Sequence, residues 1–321
     1  MGMMMIARMR NLPWPAPVRA ARLMTGLLAA TLVACGGGGL GGGDQDPDPV
    51  VLDVPIAYVK RPVPLTDQGD VDASDVRELR TFNVGADLFV RERAAASAAE
   101  INVTGRITQG SGLYDIQDLE MSWDGGKVLF AMRGPFEEGA DEEDQPTWNV
   151  WEYTLSTDDL RRVIPSDLNA EAGHDVAPHY LPDGRIVFSS TRQRQSKAIL
   201  LDEGKPQFDA QDEDRREPAF LLHVMTDDGS EIHQISFNQS HDLDPTVLSN
   251  GQVLFTRWDN ASSNNEMNLY RMNPDGTALE LYYGAQSHDT GTDGATVQFL
   301  QPRELPDGRI LVLLRPFQTD Q

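Results

Sequence analysis

The stretch His174-Asp-Val-Ala-Pro-His-Tyr-Leu-Pro-Asp-Gly-Arg-Ile-Val-Phe188 carries the architecture. A short strand leads into Asp183-Gly184, and an apolar run follows. Asp-Gly supplies the positive φ angles that a tight hairpin requires. Pro182 stands just before the turn, where a fixed φ helps begin it. The same grammar returns in Asp118-Leu-Glu-Met-Ser-Trp-Asp-Gly-Gly-Lys-Val-Leu-Phe130. It returns again in His241-Asp-Leu-Asp-Pro-Thr-Val-Leu-Ser-Asn-Gly-Gln-Val-Leu-Phe255 and in Gln301-Pro-Arg-Glu-Leu-Pro-Asp-Gly-Arg-Ile-Leu-Val312. The runs 128–130, 186–188, 253–255 and 310–314 read as strands buried on both faces.

Each hairpin is followed by a loop and two more strand patterns. These are 148–155 with 160–164, 220–225 with 231–236, and 267–272 with 279–283. A unit is therefore four antiparallel strands. Residues 55–108 repeat the grammar without its first strand (56–60, 87–91, 100–107), and the last unit shows only its first two. The expectation is an all-β chain: a β-propeller of four-stranded antiparallel blades, incomplete, with three full and two partial blades. A four-stranded unit cannot bury both faces alone, so neighbours must stack. A two-sheet sandwich is the alternative, but it predicts no recurring Asp-Gly hairpin.

The chain has 321 residues, of which 40% are hydrophobic, enough for a sizeable core. Asp plus Glu number 50 against 27 Lys plus Arg, a formal charge of −23. Such a surface repels a phosphate backbone and excludes nucleic acid as partner. The single cysteine rules out an internal disulfide, a four-thiolate metal site and a Cys-x-x-Cys-His haem attachment.

That cysteine is Cys35. Before it come Arg8, Arg10, Arg19 and Arg22 with no acid, then the apolar run 23–33, the pattern of a secretory signal over residues 1–34. Leu32-Val33-Ala34-Cys35 resembles the lipobox of bacterial lipoproteins, which implies lipid on the Cys35 sulfur. An ordinary signal peptide with a chance cysteine is the alternative. Gly36 follows where inner-membrane retention uses aspartate, so the resemblance implies an outer-membrane lipoprotein facing the periplasm. Residues 35–53 read as a Gly/Asp/Pro-rich tether, and 54–321 as the propeller. Membrane contact is expected through the lipid anchor only. Asp44, Asp46 and Asp48 mimic a calcium loop, but Pro49 stands where Gly is needed and Pro55 where Glu is needed.

The Pro-Asp-Gly hairpin before Arg and Ile-Val-Phe resembles the TolB-like propeller repeat. The wider pattern resembles the middle-domain family of the hydrazine synthase alpha subunit. It is carried by Ile56-Ala-Tyr-Val-Lys-Arg-Pro62, Gln145-Pro-Thr-Trp-Asn149, His174-Asp-Val-Ala-Pro178, Arg192-Gln-Arg-Gln-Ser-Lys197 and Ser287-His-Asp-Thr-Gly-Thr-Asp293, and extends over roughly residues 54–317. The resemblance implies the fold. The family's covalent haem has no attachment motif here, so no covalent haem is expected in this chain. A chain that stops inside a blade is expected to be truncated at its C-terminus.

Three His-Asp pairs recur: His174-Asp175, His241-Asp242 and His288-Asp289. The first two enter equivalent strands, which line the channel of a propeller. Neutral imidazoles beside carboxylates suit a divalent metal or another ligand at the channel mouth. The alternative is that Asp caps the turn and His packs between blades. Arg192, Arg194 and Lys197 form a basic cluster on an expected loop. It is an anion or partner contact, or it pairs with Asp212, Glu213 and Asp214. Trp148, Trp151 and Tyr153 are read as one strand face, core between blades rather than a sugar platform. No nucleophile elbow, Walker loop or dinucleotide fingerprint occurs, so no catalytic residue is assigned. The functional expectation is a lipid-anchored protein-binding or scaffold module with another cell-envelope protein as partner. The alternative is a haem-free fragment of a hydrazine synthase-like redox enzyme.

Overall fold

A computed structural model describes residues 54–316 apart from 66–67, 72–76, 96, 213–214 and 262–263; Cys35, the signal segment and the tether lie outside the described residues. The first sheet pairs β1 (Ile56–Lys60), β2 (Asp87–Arg91) and β3 (Glu100–Asn102). Three four-stranded meanders follow. They are β4 (Asp115–Met121) to β7 (Asp159–Arg162), through β5 (Lys127–Arg133) and β6 (Asn149–Thr154). Next come β8 (Asp175–Tyr180), β9 (Ile186–Ser190), β10 (Leu221–Met225) and β11 (His233–Gln234). The third holds β12 (Asp242–Val247), β13 (Val253–Ala261), β14 (Asn264–Met272) and β15 (Glu280–Tyr283). The fifth sheet is the hairpin β16 (Val297–Glu304) and β17 (Ile310–Pro316). All pairings are antiparallel, and no ladder among the described residues joins the first sheet to the last. The blades fan open, three full and two partial. Three short helices sit in the connections: α1 (Gly105–Thr108), α2 (Asp167–Ala170) and α3 (Arg194–Asp202).

The turns use their residues differently from the expectation. Gly184 has φ +88° but Asp183 does not adopt a positive φ. The Asp183 carboxylate instead accepts the Arg185 amide at 3.1 Å. Asp124, Asp228, Asp275 and Asp307 each accept the amide two residues on in the same way, and Asn250 does so through its Oδ1. The acid is thus a side-chain acceptor that closes the turn, and glycine alone carries the left-handed angle.

Side-chain alternation explains the continuous apolar runs. On β5, Val128, Phe130 and Met132 face the first sheet while Leu129 faces the next blade. On β9, Ile186 and Phe188 pack backward and Val187 forward. On β13, Val253 and Phe255 pack backward and Leu254 forward. Every second strand is thus buried on both faces by its neighbours. The run 310–314 departs from this. Leu311, Leu313 and Leu314 are exposed because no described element packs beyond β17. Trp148 departs too. Trp151 and Tyr153 pack against the first sheet's core, but Trp148 precedes β6 by an odd offset and joins a separate cluster with Leu79, Val176, Phe220 and Leu243.

Gly276 shows how tightly the blades approach. A Cβ there would sit 2.5 Å from the Ile235 carbonyl oxygen of the preceding blade, and φ is +82°. Gly229 makes the equivalent approach to Val163 one blade earlier.

Candidate functional site at the propeller axis

The innermost strands β4, β8, β12 and β16 follow one another around the axis, each touching the next. Each carries a bulge at the same place in its hairpin, opposite Phe130, Phe188, Phe255 and Val312. The bulge residue is left-handed in every copy: Asp118, Ala177, Asp244 and Gln301, with φ between 48° and 57°. A bulge re-aims its side chain and frees its amide from the ladder. Asp118 Oδ2 accepts the freed Ala177 amide of the next blade at 2.9 Å. Asp244 accepts the Gln301 amide in the same relation.

Ionisable groups from successive blades meet here. Asp118 and Glu120 come from β4, His179 from β8, Asp244 from β12 and Arg303 from β16. His179 Nδ1 stands 3.4 Å from Glu120 Oε1. Asp244 is only 5% exposed, and its Oδ2 has no hydrogen-bond partner among the described residues. Burial, then the nearby Asp118 carboxylate, push Asp244 up to about 7, against the opposing pull of Arg303. Burial raises Asp118 as well, opposed by the Ala177 amide and then Arg303. Burial would raise Glu120, but His179 and Arg303 outweigh it and hold the carboxyl below its ordinary value. The axis therefore presents carboxyl groups of different acidity beside the Arg303 guanidinium and the His179 imidazole, with the Arg61 charge also acting on Asp118. Sequence reading missed this group. The signal was present in Asp244-Pro245 and Gln301-Pro302, but only pairing shows that these residues bulge.

The first two His-Asp pairs lie at the entry to β8 and β12, ahead of the bulge; the third lies in a turn before β16. His174 Nδ1 accepts the Trp148 amide at 3.2 Å, while the Asp175 amide donates to the Trp148 carbonyl at 2.8 Å. His241 and Asp242 repeat this on Phe220, at 3.1 and 2.8 Å. Each pair grips the third strand of the blade before it. Burial, with Arg80 and Arg133 adding, pushes His174 down to about 3, and burial pushes His241 down to about 4. A neutral ring that accepts at Nδ1 carries its hydrogen on Nε2, so neither nitrogen offers a lone pair to a metal. Asp242 forks to Arg257 with two 2.8 Å contacts, and Asp175 forks to Arg192. His288 directs Nδ1 at the Val297 carbonyl (2.6 Å) and Nε2 at Asn268 Oδ1 (2.9 Å), and Asp289 is exposed beside it. Among the described residues no three His, Cys, Asp or Glu side chains converge in a metal-holding group.

This mouth is also covered. Leu79 packs onto Trp148, Phe220 and Leu243, and its carbonyl accepts from Gln117 at 3.1 Å. The next carbonyl, of Arg80, accepts from Arg133 at 2.9 Å. The segment from the first sheet thus lies across the entry of three blades.

The basic cluster is divided rather than joined. Arg192 is buried against Asp175, and Lys197 pairs with Asp209 at 2.9 Å rather than with Asp212. Glu213 and Asp214 lie outside the described residues. Arg194 and Lys197 belong to α3, not to a loop; Arg194 is exposed and has no ion-pair partner among the described residues.

Comparison with protein-family models and with curated proteins returns no match. Among solved structures, the chain is similar to hydrazine synthase of Kuenenia stuttgartiensis, at 17% identity and TM-score 0.54, over 75% of this chain and 33% of that one. It is also similar to a putative TolB from Agrobacterium tumefaciens, at 14% identity and TM-score 0.45, over 83% of this chain and 72% of that one. TolB from Acinetobacter baumannii gives 12% identity and TM-score 0.42, over 80% and 47%. This chain spans about a third of the hydrazine synthase chain it matches. At 17% identity the likeness to the hydrazine synthase structure shows the fold alone: with the sheets described above, an open β-propeller.

Proposed function

We propose that this chain is a lipid-anchored cell-envelope binding module that engages a protein partner at the axial mouth beside Asp118, Glu120 and Arg303. The observation that carries the reading is the convergence of ionisable side chains from four inner strands on one axis. Fixed charges of both signs on a rigid scaffold favour partner recognition through complementary charge. The first two His-Asp pairs are engaged between blades, whereas Asp118, Glu120 and Arg303 stay partly exposed at the axis. Capture from detergent-solubilised envelopes, with the wild-type chain and an Asp118→Asn/Glu120→Gln/Arg303→Met variant, tests the reading. The variant is expected to lose a partner that the wild type retains. Identical captured proteins from both would overturn it. Cys35→Ala is expected to move the chain from the membrane to the soluble fraction.

The hydrazine synthase likeness favours a second reading, a haem-free part of a related redox assembly with haem carried on another chain. A haem protein among the captured partners, seen by its Soret absorbance, would select that reading.

A further inference from the structure

An open cleft of about 520 Å³ lies on the side of the second full blade, away from the axis. Its walls come from the start of α3, from β10 and β11, and from the turn between them. The volume is in the range of small-molecule sites. Its frame is built. The Gln234 side chain accepts from the Ser196 amide and hydroxyl at 3.3 and 2.9 Å, and Gln195 Oε1 accepts the Gln234 amide at 3.1 Å. These bonds lock the first turn of α3 to the edge strand β11.

Three features of the lining point to a ligand. His223 is only 2% exposed, and its ring is fixed because Nδ1–H donates to the Leu221 carbonyl at 2.9 Å. Its Nε2 is left with a lone pair and no hydrogen-bond partner among the described residues, and the side chain lines the cleft. This is the opposite tautomer from His174 and His241. Burial pushes the His223 ring down to about 3, so it stays neutral and accepting. His233 likewise places Nδ1 at 3.0 Å from the Glu231 carbonyl, so its Nε2 is also an acceptor when neutral. Glu231 adds a carboxylate to the same wall. Against these acceptors stands Arg194, at the positive end of α3, a cation with no ion-pair partner among the described residues. Arg192 also borders the cleft, but its charge is matched by Asp175.

A simple anion would meet Arg194 but also Glu231, and it would leave the imidazole acceptors unpaired. A metal ion would face two guanidinium groups, and no three ligating side chains converge here. A ligand with one carboxylate and several hydroxyl donors fits all of these groups. We infer that this cleft is a binding site for a hydroxylated carboxylic acid of about one sugar unit, with its carboxylate on Arg194 and its hydroxyls donating to His223 and Glu231. This inference stands apart from the axial reading and shares no residue with it.

Titration calorimetry of the full chain with D-glucuronate, D-galacturonate and D-gluconate tests it, with D-glucose and acetate as controls. At least one acid is expected to saturate the protein, and to do so more tightly than either control. Arg194→Met, an exposed change that leaves the fold intact, is expected to weaken that acid about tenfold. His223→Phe is expected to weaken it too, and a thermal melt reports whether that variant folds. Failure of all three acids to saturate, or unchanged binding in Arg194→Met, would overturn the inference.

Discussion

Asp244 is a residue where the axis stores electrostatic conflict. It is buried, its Oδ2 has no partner among the described residues, and its carboxyl is pushed up to about 7 from an ordinary 3.8. The folded state therefore holds this proton more tightly than the unfolded chain does. Its contribution to stability is full below about pH 4 and is lost as pH rises through 7. Asn mimics the protonated acid and keeps an acceptor for the Gln301 amide. Asp244→Asn is accordingly expected to raise the thermal midpoint at pH 8 by several degrees, on the scale of about 2–4 °C per kcal/mol. The gain should vanish at pH 4. Circular-dichroism melts at the two values check this, and a gain that does not change with pH contradicts it.

At the scale of the element, the inner hairpin is held by a buried fork. Asp242 on β12 is fully buried and bonds Arg257 on β13 through both oxygens. Removing one partner of such a pair strands the other charge, at about 3–5 kcal/mol. Asp242→Ala should lose stability of that order in denaturant titrations, whereas Asp242→Leu with Arg257→Met should recover most of it. If the double variant is no better than the single, the desolvation account is wrong. The same strand shows what was legible beforehand. The Asn250-Gly251 turn and the run 253–255 announced this hairpin. The bulge at Asp244 did not announce itself, because a two-for-one pairing depends on the partner strand. For the same reason the role of His241 was open. Its residue type allowed either a ligand or a clasp, and only the Phe220 amide on another strand shows which nitrogen is engaged.

At the scale of the whole molecule, stability is shared between neighbouring blades, and one segment departs from that nearest-neighbour rule. Leu79, from the first partial blade's connection, packs against Trp148, Phe220 and Leu243 of three different blades. Truncating a buried leucine costs about 2–5 kcal/mol. Leu79→Ala should show that loss together with faster hydrogen exchange at the Trp148 and Phe220 amides, which lie under it. Loss of stability without faster exchange at those amides would mean that the segment does not hold the mouth closed.

Local chemistry alone was enough for the blade. Asp-Gly turns, apolar runs of three residues and their recurrence specify four-stranded meanders, because turn geometry and side-chain alternation act over a few residues. The three full and two partial blades among the described residues followed from counting the recurrences. Which side chains meet at the axis was settled by tertiary structure, since Asp118, Asp244 and Arg303 are far apart in the chain and approach only when the inner strands stand side by side. The side cleft has the same origin. Arg194 and His223 share a wall because Ser196 of α3 is bonded to Gln234 of the edge strand β11, 38 residues further along the chain, a contact that no local pattern encodes.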